Sequence, residues 1–481
     1  MEKVVQVGLN ALAGLGVDYG EVRAEHRAEE NVSIKNREVE ALSRRESRGI
    51  GIRVLHNGAW GFAATGDTTK LAIERAARSA LAIARATATV QQERVELAPE
   101  PAHQGTFVTQ YKRDPLAVPI EEKLELLLSA ADRILAVRGT TMAKGSTAAW
   151  RVEKTFGNTT GSLVQQTLTS CGAGIEAYAA GAGEFQRRSY PCAFGGDFAN
   201  SGYEFIEGLD LVGHAPRIAE EAAALLSAPV CPAGVFDIII GGSQMALQVH
   251  ESLGHPSELD RVLGTELSYA GGSFLTLDKR GGFRHGSDLV NIVADATVPG
   301  ALGTFGYDDE GVPAQKVDLV KAGMFVGYLT SRETVRTVRG KRSGGAARAS
   351  SWSRIPLIRM TNVNLLPGRG TLDDLIRDTE RGIYFETNQS WSIDDRRVNF
   401  QFGTEIAWEI QGGRKVRILK NPLYTGITPE FWGSCVAICG PEEWHMWGLP
   451  NCGKGEPGQV MQVGHGAAPA KFTRIQVRGA G

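Results

Sequence analysis

The chain has 481 residues, enough for two or three domains with hydrophobic cores of their own. Its 42% apolar and 22% charged residues are typical of a globular protein, and its net charge of −2 argues against a dedicated nucleic-acid-binding surface. No stretch approaches the ~18 apolar residues of a membrane span, and six cysteines are too few for a disulfide scaffold, so we expect a cytoplasmic protein with reduced thiols.

The first half of the chain predicts an antiparallel sheet with helices packed on it. Apolar residues occupy even positions from about 22 to 34, which is typical of a strand, and Asn57-Gly58 supplies the tight turn of a hairpin. Further strands are predicted near residues 149–156 and 161–178. Helices are predicted near residues 1–20, 68–86, 120–137 and 205–226. We therefore predict an α+β domain over residues 1–228.

The stretch SAPVCPAGVFDIIIGG indicates a domain boundary, because proline and small residues give way to a short buried strand over 236–240. A helix over SQMALQVHES follows, and beyond it the pattern is mostly β, with hairpins near Lys321-Ala322-Gly323 and Gly412-Gly413. We predict a mainly β domain over residues 229–481. The Gly/Ser/Arg-rich segment 337–355 is predicted to be a mobile loop.

The stretch HESLGH, from His250 to His255, has the composition of a zinc-protease motif but one residue more than H-E-x-x-H. On a regular helix, residues four apart are about 40° from alignment, whereas residues five apart are about 140° from it. The two imidazoles can therefore not both face one ion from a regular helix. Chance predicts about 0.02 occurrences of H-E-x-x-x-H in this composition, which favours a site over two unrelated histidines of the core or surface.

Two backbone arrangements could bring the imidazoles together. One is a π-bulge, which adds a residue to a turn, and the other is a helix that ends between the histidines. Gly254 is a residue typical of helix C-termini, and Pro256 disfavours a helical conformation of His255. We therefore predict that the helix ends near Gly254 and that the chain then turns His255 back towards His250.

A catalytic zinc takes three protein ligands, so a third must come from elsewhere in the chain. Cys452 lies in a Gly-rich stretch with Lys454 nearby, and the expected exposure and positive charge favour a thiolate. Cys435 and Cys439 lie in an apolar run that favours core packing. The candidates for the third ligand are His285, His445, His465, Cys435, Cys439, Cys452, Glu258 and Glu266. Glu251 would stand beside the ion and transfer protons between water and the leaving amine.

Several separated motifs resemble those of the TldD/PmbA family of metalloproteases, which were once described as candidate modulators of DNA gyrase. In chain order they are GIGIRVLHNGAWGFA, LQVHESLGHPSELDRVLG, YAGGSF, GTFGYDDEGVPAQ and NCGKG. The resemblance covers nearly the whole chain. It implies a two-part α+β architecture whose C-terminal domain is mainly β and carries the metal site.

The resemblance also implies roles for individual residues. His250, His255 and Cys452 match the family's zinc ligands, and Glu251 matches its general base. Glu258 and Asp260 match acidic positions just beyond the motif, where they would orient the ligands.

The family members cleave short or unfolded peptides and work as dimers, often with a related subunit that lacks the metal motif. The resemblance therefore implies a peptide substrate and a homodimer or heterodimer. Two alternatives to a zinc peptidase remain at this point: a non-catalytic regulatory subunit, and a zinc hydrolase that matures a modified peptide natural product.

Overall fold

A computed structural model describes residues 1–181 and 183–479. In the first half, eight strands among the described residues form one sheet in the order β3-β2-β1-β5-β6-β4, with β7 and β8 also paired to β6. All pairings are antiparallel except that of β4 with β6. The strands are β1 Tyr19–Lys35, β2 Glu38–His56, β3 Ala59–Thr65, β4 Gln104–Val108, β5 Thr140–Asn158, β6 Leu163–Gly181, β7 Glu184–Tyr190 and β8 Asp197–Ala199.

One face of this sheet carries the helices of the first half. Val22, Ala24, Val32 and Ile34 alternate along β1, as period 2 requires, and all four are buried in the two cores that the helices form with the sheet. The helices are α1 Glu2–Ala13, α2 Lys70–Ala88, α3 Ile120–Leu135, α4 Tyr203–Gly208 and α5 Leu211–Leu225. The predicted single helix near 205–226 is wrong, because Asp210 adopts a left-handed conformation and caps α5 through the Gly213 amide.

The second half begins with β9 and closes a barrel. β16, β9, β23, β19 and β17 pair in sequence, and β17 pairs back to β16, so that the ring has no free edge between these strands. Phe400, Phe402, Tyr424 and Phe472 pack within its core. The barrel strands are β9 Gly234–Ile240, β16 Arg381–Ile393, β17 Asn399–Gln411, β19 Pro422–Ile427 and β23 Ala470–Gly479.

Smaller elements surround the barrel. The remaining strands are β10 Ile292–Asp295, β11 Lys316–Lys321, β12 Met324–Phe325, β13 Ala347–Arg348, β14 Leu357–Ile358, β15 Val363–Leu365, β18 Arg414–Leu419, β20 Cys435–Ile438, β21 His445–Lys454 and β22 Gln459–Ala467. The helices are α6 Gly242–Val249, a π-helix His250–Gly254, α7 Leu259–Val262, α8 Leu372–Arg377 and α9 Thr428–Gly433, with 3₁₀ turns at His255–Ser257, Leu277–Lys279, Thr334–Val338 and Pro441–Glu443. The fold is therefore α+β with a mainly β C-terminal region, as predicted. No helix among the described residues is long and apolar enough to cross a membrane.

Buried ion pairs join the two halves. The second face of the first sheet presents Arg53 and Lys154, which bind Glu310 and Asp309 at 3.1 Å in the sequence motif GTFGYDDEGVPAQ. Asp308 in the same motif accepts backbone amides of its own loop and of Ala347. Arg53 also pairs with Glu21 and Lys154 with Glu25, so the ion pairs between the halves belong to a network of charges.

The later part of the segment predicted to be a mobile loop packs between the halves, whereas Thr337, Arg339, Lys341 and Arg342 in its first part are exposed. Ala346, Ala347 and Ala349 are buried, and Trp352 lies on β2, where Gly49 leaves room for its ring and Gly51 for its backbone carbonyl. A Cβ at Gly49 would lie 2.4 Å from that ring. In this later part the small residues therefore reflect close packing rather than a solvated loop.

Candidate metal centre

The H-E-x-x-x-H stretch lies on a π-helical turn that continues α6. The His255 amide donates to the His250 carbonyl, five residues back, which is the hydrogen bond that defines a π-helix. Gly254 and His255 both keep right-handed helical dihedral angles, so the predicted helix end is wrong. Pro256 is accommodated because it lies in the first positions of a 3₁₀ turn, where a missing amide is tolerated. Gly254 is required for packing, since a Cβ there would lie 2.1 Å from Met360 Sδ.

The π-turn brings the imidazoles together, and a hairpin adds a thiol to them. The ring centroids of His250 and His255 are 4.7 Å apart and the rings are nearly perpendicular. Cys452 Sγ lies 3.5 Å from His250 Nε2 and 3.7 Å from His255 Nε2. All three residues are buried, and their potential ligand atoms lie within 4.8 Å of one another. The arrangement could hold a metal ion.

A chain of hydrogen bonds fixes the orientation and tautomer of His250. His465 Nδ1 lies 3.1 Å from the Val363 carbonyl, which can only accept, so Nδ1 carries the proton. His465 Nε2 is then an acceptor in the neutral ring, and it accepts a hydrogen bond from His250 Nδ1 at 2.8 Å. The lone pair of His250 is left on Nε2, the atom that faces Cys452.

His255 is oriented by a carboxylate. Its Nδ1 lies 2.9 Å from Glu258 Oε2, so its Nε2 also presents a lone pair towards Cys452. Burial raises the pKa of Glu258, but Lys454, His255 and Arg261 outweigh burial and hold that pKa well below its usual range. Glu258 is therefore an anion.

Asp260 does not contact the imidazoles but is linked to Glu258 through Lys454. Its carboxylate accepts from Lys454 Nζ at 2.6 Å, and the same ammonium lies 3.4 Å from Glu258. Lys454 is completely buried and also donates to the Ile358 carbonyl. Asp260 thus fixes the cation that supports Glu258.

Cys452 lies on β21 rather than in an exposed loop, so the predicted exposure is wrong. The register between β21 and β22 shifts between Leu449 and Cys452, and the sulfur is buried beside the imidazoles. Burial raises the pKa of the thiol, but His255 and the Arg359 guanidinium, which donates to the Cys452 carbonyl, outweigh it and lower the pKa below its ordinary value.

Burial favours the neutral form of both imidazoles. It lowers the pKa of His250 to about 4, against the opposing influence of Glu251 and Glu258. It also lowers the pKa of His255, although Cys452 and Glu258 act in the opposite direction. Metal ligation requires unprotonated imidazole and thiolate, so the protein environment shifts the pKa of all three side chains in the direction that favours ligation.

An open cleft of about 480 Å³ borders these side chains. Phe194 of the first half lines it together with residues of the second half. Glu251 faces this cleft, and its carboxylate forms an ion pair with Arg397. The cleft is lined by Phe194, Leu247, His250, Glu251, His255, Tyr269, Ala270, Trp391, Ile393, Asp394, Asp395, Arg397, Leu449, Asn451, Cys452 and Gly453.

The other candidates for a third ligand lie elsewhere or point elsewhere. Cys435 and Cys439 are buried in hydrophobic clusters, and His445 pairs with Asp197 at 2.6 Å. His285 is buried between aromatic rings, and Glu266 accepts from the Gly455 amide at 3.1 Å. His465 and Glu258 are in contact with the imidazoles but behind them.

Arg397 and the supporting role of His465 were not found from the sequence. Arg397 is one of two adjacent arginines in DDRRV, which resembles an ordinary charged turn. His465 lies 215 residues from His250, and no local pattern connects them. Both become visible only when the hairpin loops are placed against the π-turn.

Comparison with known proteins identifies relatives along the whole chain. Profiles of PmbA/TldA metallopeptidase domain 1, the central domain and the C-terminal domain match residues 20–84, 113–228 and 233–479. A metalloprotease of Methanothermobacter thermautotrophicus is 29% identical over 463 residues, 96% of each chain. A metalloprotease TldD homolog of Haemophilus influenzae is 26% identical over 468 residues, 96% of this chain and 93% of its own.

Two solved structures share the fold. A Thermotoga maritima protein described as a candidate modulator of a DNA gyrase has a TM-score of 0.79 at 17% identity, covering 99% of each chain. TldE from Thermococcus kodakarensis has a TM-score of 0.74 at 18% identity and covers all of both chains. At this level of identity the likeness concerns the fold alone.

Proposed function

Because the chain belongs to the PmbA/TldD metallopeptidase family, we propose that it is a zinc-dependent peptidase of short or unfolded peptides. The observation that carries the proposal is the convergence of His250, His255 and Cys452 at the edge of an open cleft. Three protein ligands beside an open space are typical of catalytic rather than structural zinc sites.

The donor set fits zinc. Zn–N bonds of about 2.0–2.1 Å and Zn–S bonds of about 2.3 Å at a tetrahedral angle separate nitrogen from sulfur by about 3.6 Å. The two such distances here are 3.5 and 3.7 Å. Imidazole and thiolate together suit a borderline-soft cation better than Mg²⁺ or Ca²⁺, which prefer oxygen. When bound, zinc lowers the pKa of water and polarises a carbonyl group.

Glu251 transfers the protons. Its position directly after His250 and its orientation into the cleft support this role. It takes a proton from the attacking water and delivers that proton to the leaving nitrogen as the peptide bond breaks. His465 and Glu258 keep each imidazole in the tautomer that presents Nε2 to the ion.

The cleft suits an extended chain. Among the described residues β21 pairs with β22 alone, and Leu449, Asn451 and Gly453 of β21 line the cleft. A peptide that adds to β21 as a further strand would pass directly by Cys452, because backbone hydrogen bonds hold such a strand at one spacing. A peptide can add as a strand only where its backbone is unfolded, so we expect folded proteins to be poor substrates. Equal cleavage rates for a folded protein and its unfolded form would contradict it.

The protein acts as a dimer, with a second copy or with a related subunit that lacks H-E-x-x-x-H. Its similarity both to a TldD homolog and to TldE supports a partner of the same fold. Sedimentation of the purified chain distinguishes the possibilities, because a monomer has a mass of 51.6 kDa. A homodimer sediments at twice that mass, whereas a chain that requires a related subunit stays a monomer until that subunit is added.

Replacement of Glu251 by Gln tests the proposal. We expect zinc content to be unchanged, because the amide touches no ligand, and peptide turnover to fall about 10²–10⁴-fold, because general-base catalysis is lost. Glu442→Gln, the same change at an exposed glutamate, is the control. Zinc is measured by plasma mass spectrometry and turnover with a peptide library. A wild-type protein that binds zinc but cleaves no peptide in the library would favour the regulatory subunit instead.

A further inference from the structure

Arg397 forms an ion pair with the proposed base and retains an unused donor. Its Nη1 binds the Glu251 carboxylate, and its side chain is 12% exposed at the edge of the cleft. Its Nε is buried and has no hydrogen-bond partner in the part of the chain that the structure describes. A buried donor without a partner is unfavourable, so the guanidinium is held by fewer hydrogen bonds than its donors allow.

The backbone holds this guanidinium in place. Arg397 has a φ of 65°, in the left-handed region that residues with a side chain rarely occupy. Asp394 fixes the loop by accepting from the amides of Arg396, Val398 and Asn399, and Thr428 Oγ1 donates to the Arg397 carbonyl at 2.8 Å. An uncommon backbone conformation that several hydrogen bonds maintain beside a reactive group is typical of functional sites.

On the basis of the proposed function, we propose that Arg397 is a catalytic residue that binds the carbonyl oxygen of the scissile peptide bond. As the water oxygen bonds to the carbonyl carbon, the π electron pair of the C=O bond moves to the oxygen, and the water proton goes to Glu251. The guanidinium stabilises the resulting negative charge until the C–N bond breaks and Glu251 protonates the amine.

The location of the ion pair favours contact of Arg397 with the scissile carbonyl over contact with a part of the substrate far from the scissile bond. Glu251 must lie within hydrogen-bond reach of the attacking water, directly or through one water molecule. A guanidinium bound to the same carboxylate is therefore within a few ångströms of the carbon that the water attacks. Arginine keeps its charge in this site and offers donors in a planar fork, which suits an oxyanion beside a carboxylate.

The test uses the full-length zinc enzyme, a peptide substrate and its phosphinate analogue, in which a tetrahedral anionic group replaces the scissile amide. For Arg397→Gln we expect kcat to fall about 10²–10³-fold with little change in KM, and phosphinate affinity to fall by a similar factor. Arg397→Lys, which keeps the charge, recovers part of both losses. Arg396→Gln, the exposed neighbour in the same loop, is the control and leaves both unchanged.

A second background separates direct contact from positioning of Glu251. In Glu251→Gln, phosphinate binding is measured with and without Arg397→Gln. We expect Arg397→Gln to weaken binding by the same factor in both backgrounds, because the guanidinium contacts the anion itself. If the effect vanishes in the Glu251→Gln background, Arg397 acts only through Glu251 and the proposal is wrong.

The remaining outcomes are also decisive. A rise in KM restricted to peptides with a free C-terminal carboxylate, absent for their amides, would make Arg397 a terminal-carboxylate site and overturn the proposal. A wild-type enzyme that cleaves the peptide and binds the phosphinate, with Arg397→Gln unchanged, would overturn the role of Arg397 alone. A wild-type protein that does neither would overturn the proposed function and this role together. Equal zinc content and equal thermal unfolding confirm that each variant is folded.

Discussion

The histidines of the candidate centre and His285 are buried alike but differ in their partners. His250 and His255 each have a polar group behind the ring and a thiol before it. His285 stacks against Phe274 and lies near Trp432, and neither of its nitrogens has a hydrogen-bond partner among the described residues. Burial lowers the pKa of His250 and of His285 alike, to about 4 and about 3. A lowered pKa therefore does not distinguish the candidate centre from a core histidine, whereas the convergence of oriented lone pairs does.

The largest effect is expected from a comparison of His255, in the candidate centre, with His285, in the aromatic pocket. We expect His255→Ala to lose bound zinc and at least about 10³-fold of peptide turnover, because the ion contributes several kcal/mol to the transition state. His285→Leu, which fills the aromatic pocket with an apolar group, keeps zinc and turnover. Zinc per chain and kcat/KM are measured on both variants. If His285→Leu lost zinc and His255→Ala retained it, His285 rather than His255 would be the metal ligand.

An intermediate effect tests the partners behind the rings. In His465→Phe the His250 Nδ1 proton loses its acceptor, so the ring no longer favours the tautomer that ligates through Nε2. We expect zinc affinity, measured by competition with a chelator, to fall about 10–100-fold. His445→Gln is the control, since His445 lies on the same hairpin but pairs with Asp197. An unchanged affinity in His465→Phe would mean that the ring orientation is set by packing alone.

The smallest expected effect concerns stability and pH. The unfolded chain takes up a proton on His285 below about pH 6.5, whereas the folded protein leaves it neutral until about pH 3. The unfolded state thus binds more protons, so the free energy of unfolding decreases as the pH falls through this range, by about 2 kcal/mol at pH 5. In the zinc-free protein, urea unfolding at pH 8 and pH 5 measures the decrease. Between pH 8 and pH 5 we expect the free energy of unfolding of His285→Leu to decrease by about 2 kcal/mol less than that of the wild type. An equal decrease in both proteins would contradict the buried, unpartnered state of His285.

Most of the architecture and part of the site could be predicted from the sequence. Period-2 alternation in β1 and the Asn57-Gly58 turn identify the first sheet, because both signals are local. The path between His250 and His255 was predicted wrongly, since Gly254 and Pro256 favour a helix end when only local preferences are weighed. The contact of Met360 with the π-turn, 106 residues along the chain, requires the glycine for a different reason.

The residue types alone establish which chemistry is available: two histidines five apart, a glutamate between them, and a cysteine 197 residues beyond the second histidine. How these groups are used depends on the fold. A π-turn aligns the imidazoles, the β21–β22 hairpin places Cys452 and His465 against them, and the loop at Arg397 reaches Glu251. The reason is physical: side-chain identity is a local property, whereas tautomer, pKa and approach to a common point depend on groups that the fold brings together from distant parts of the chain.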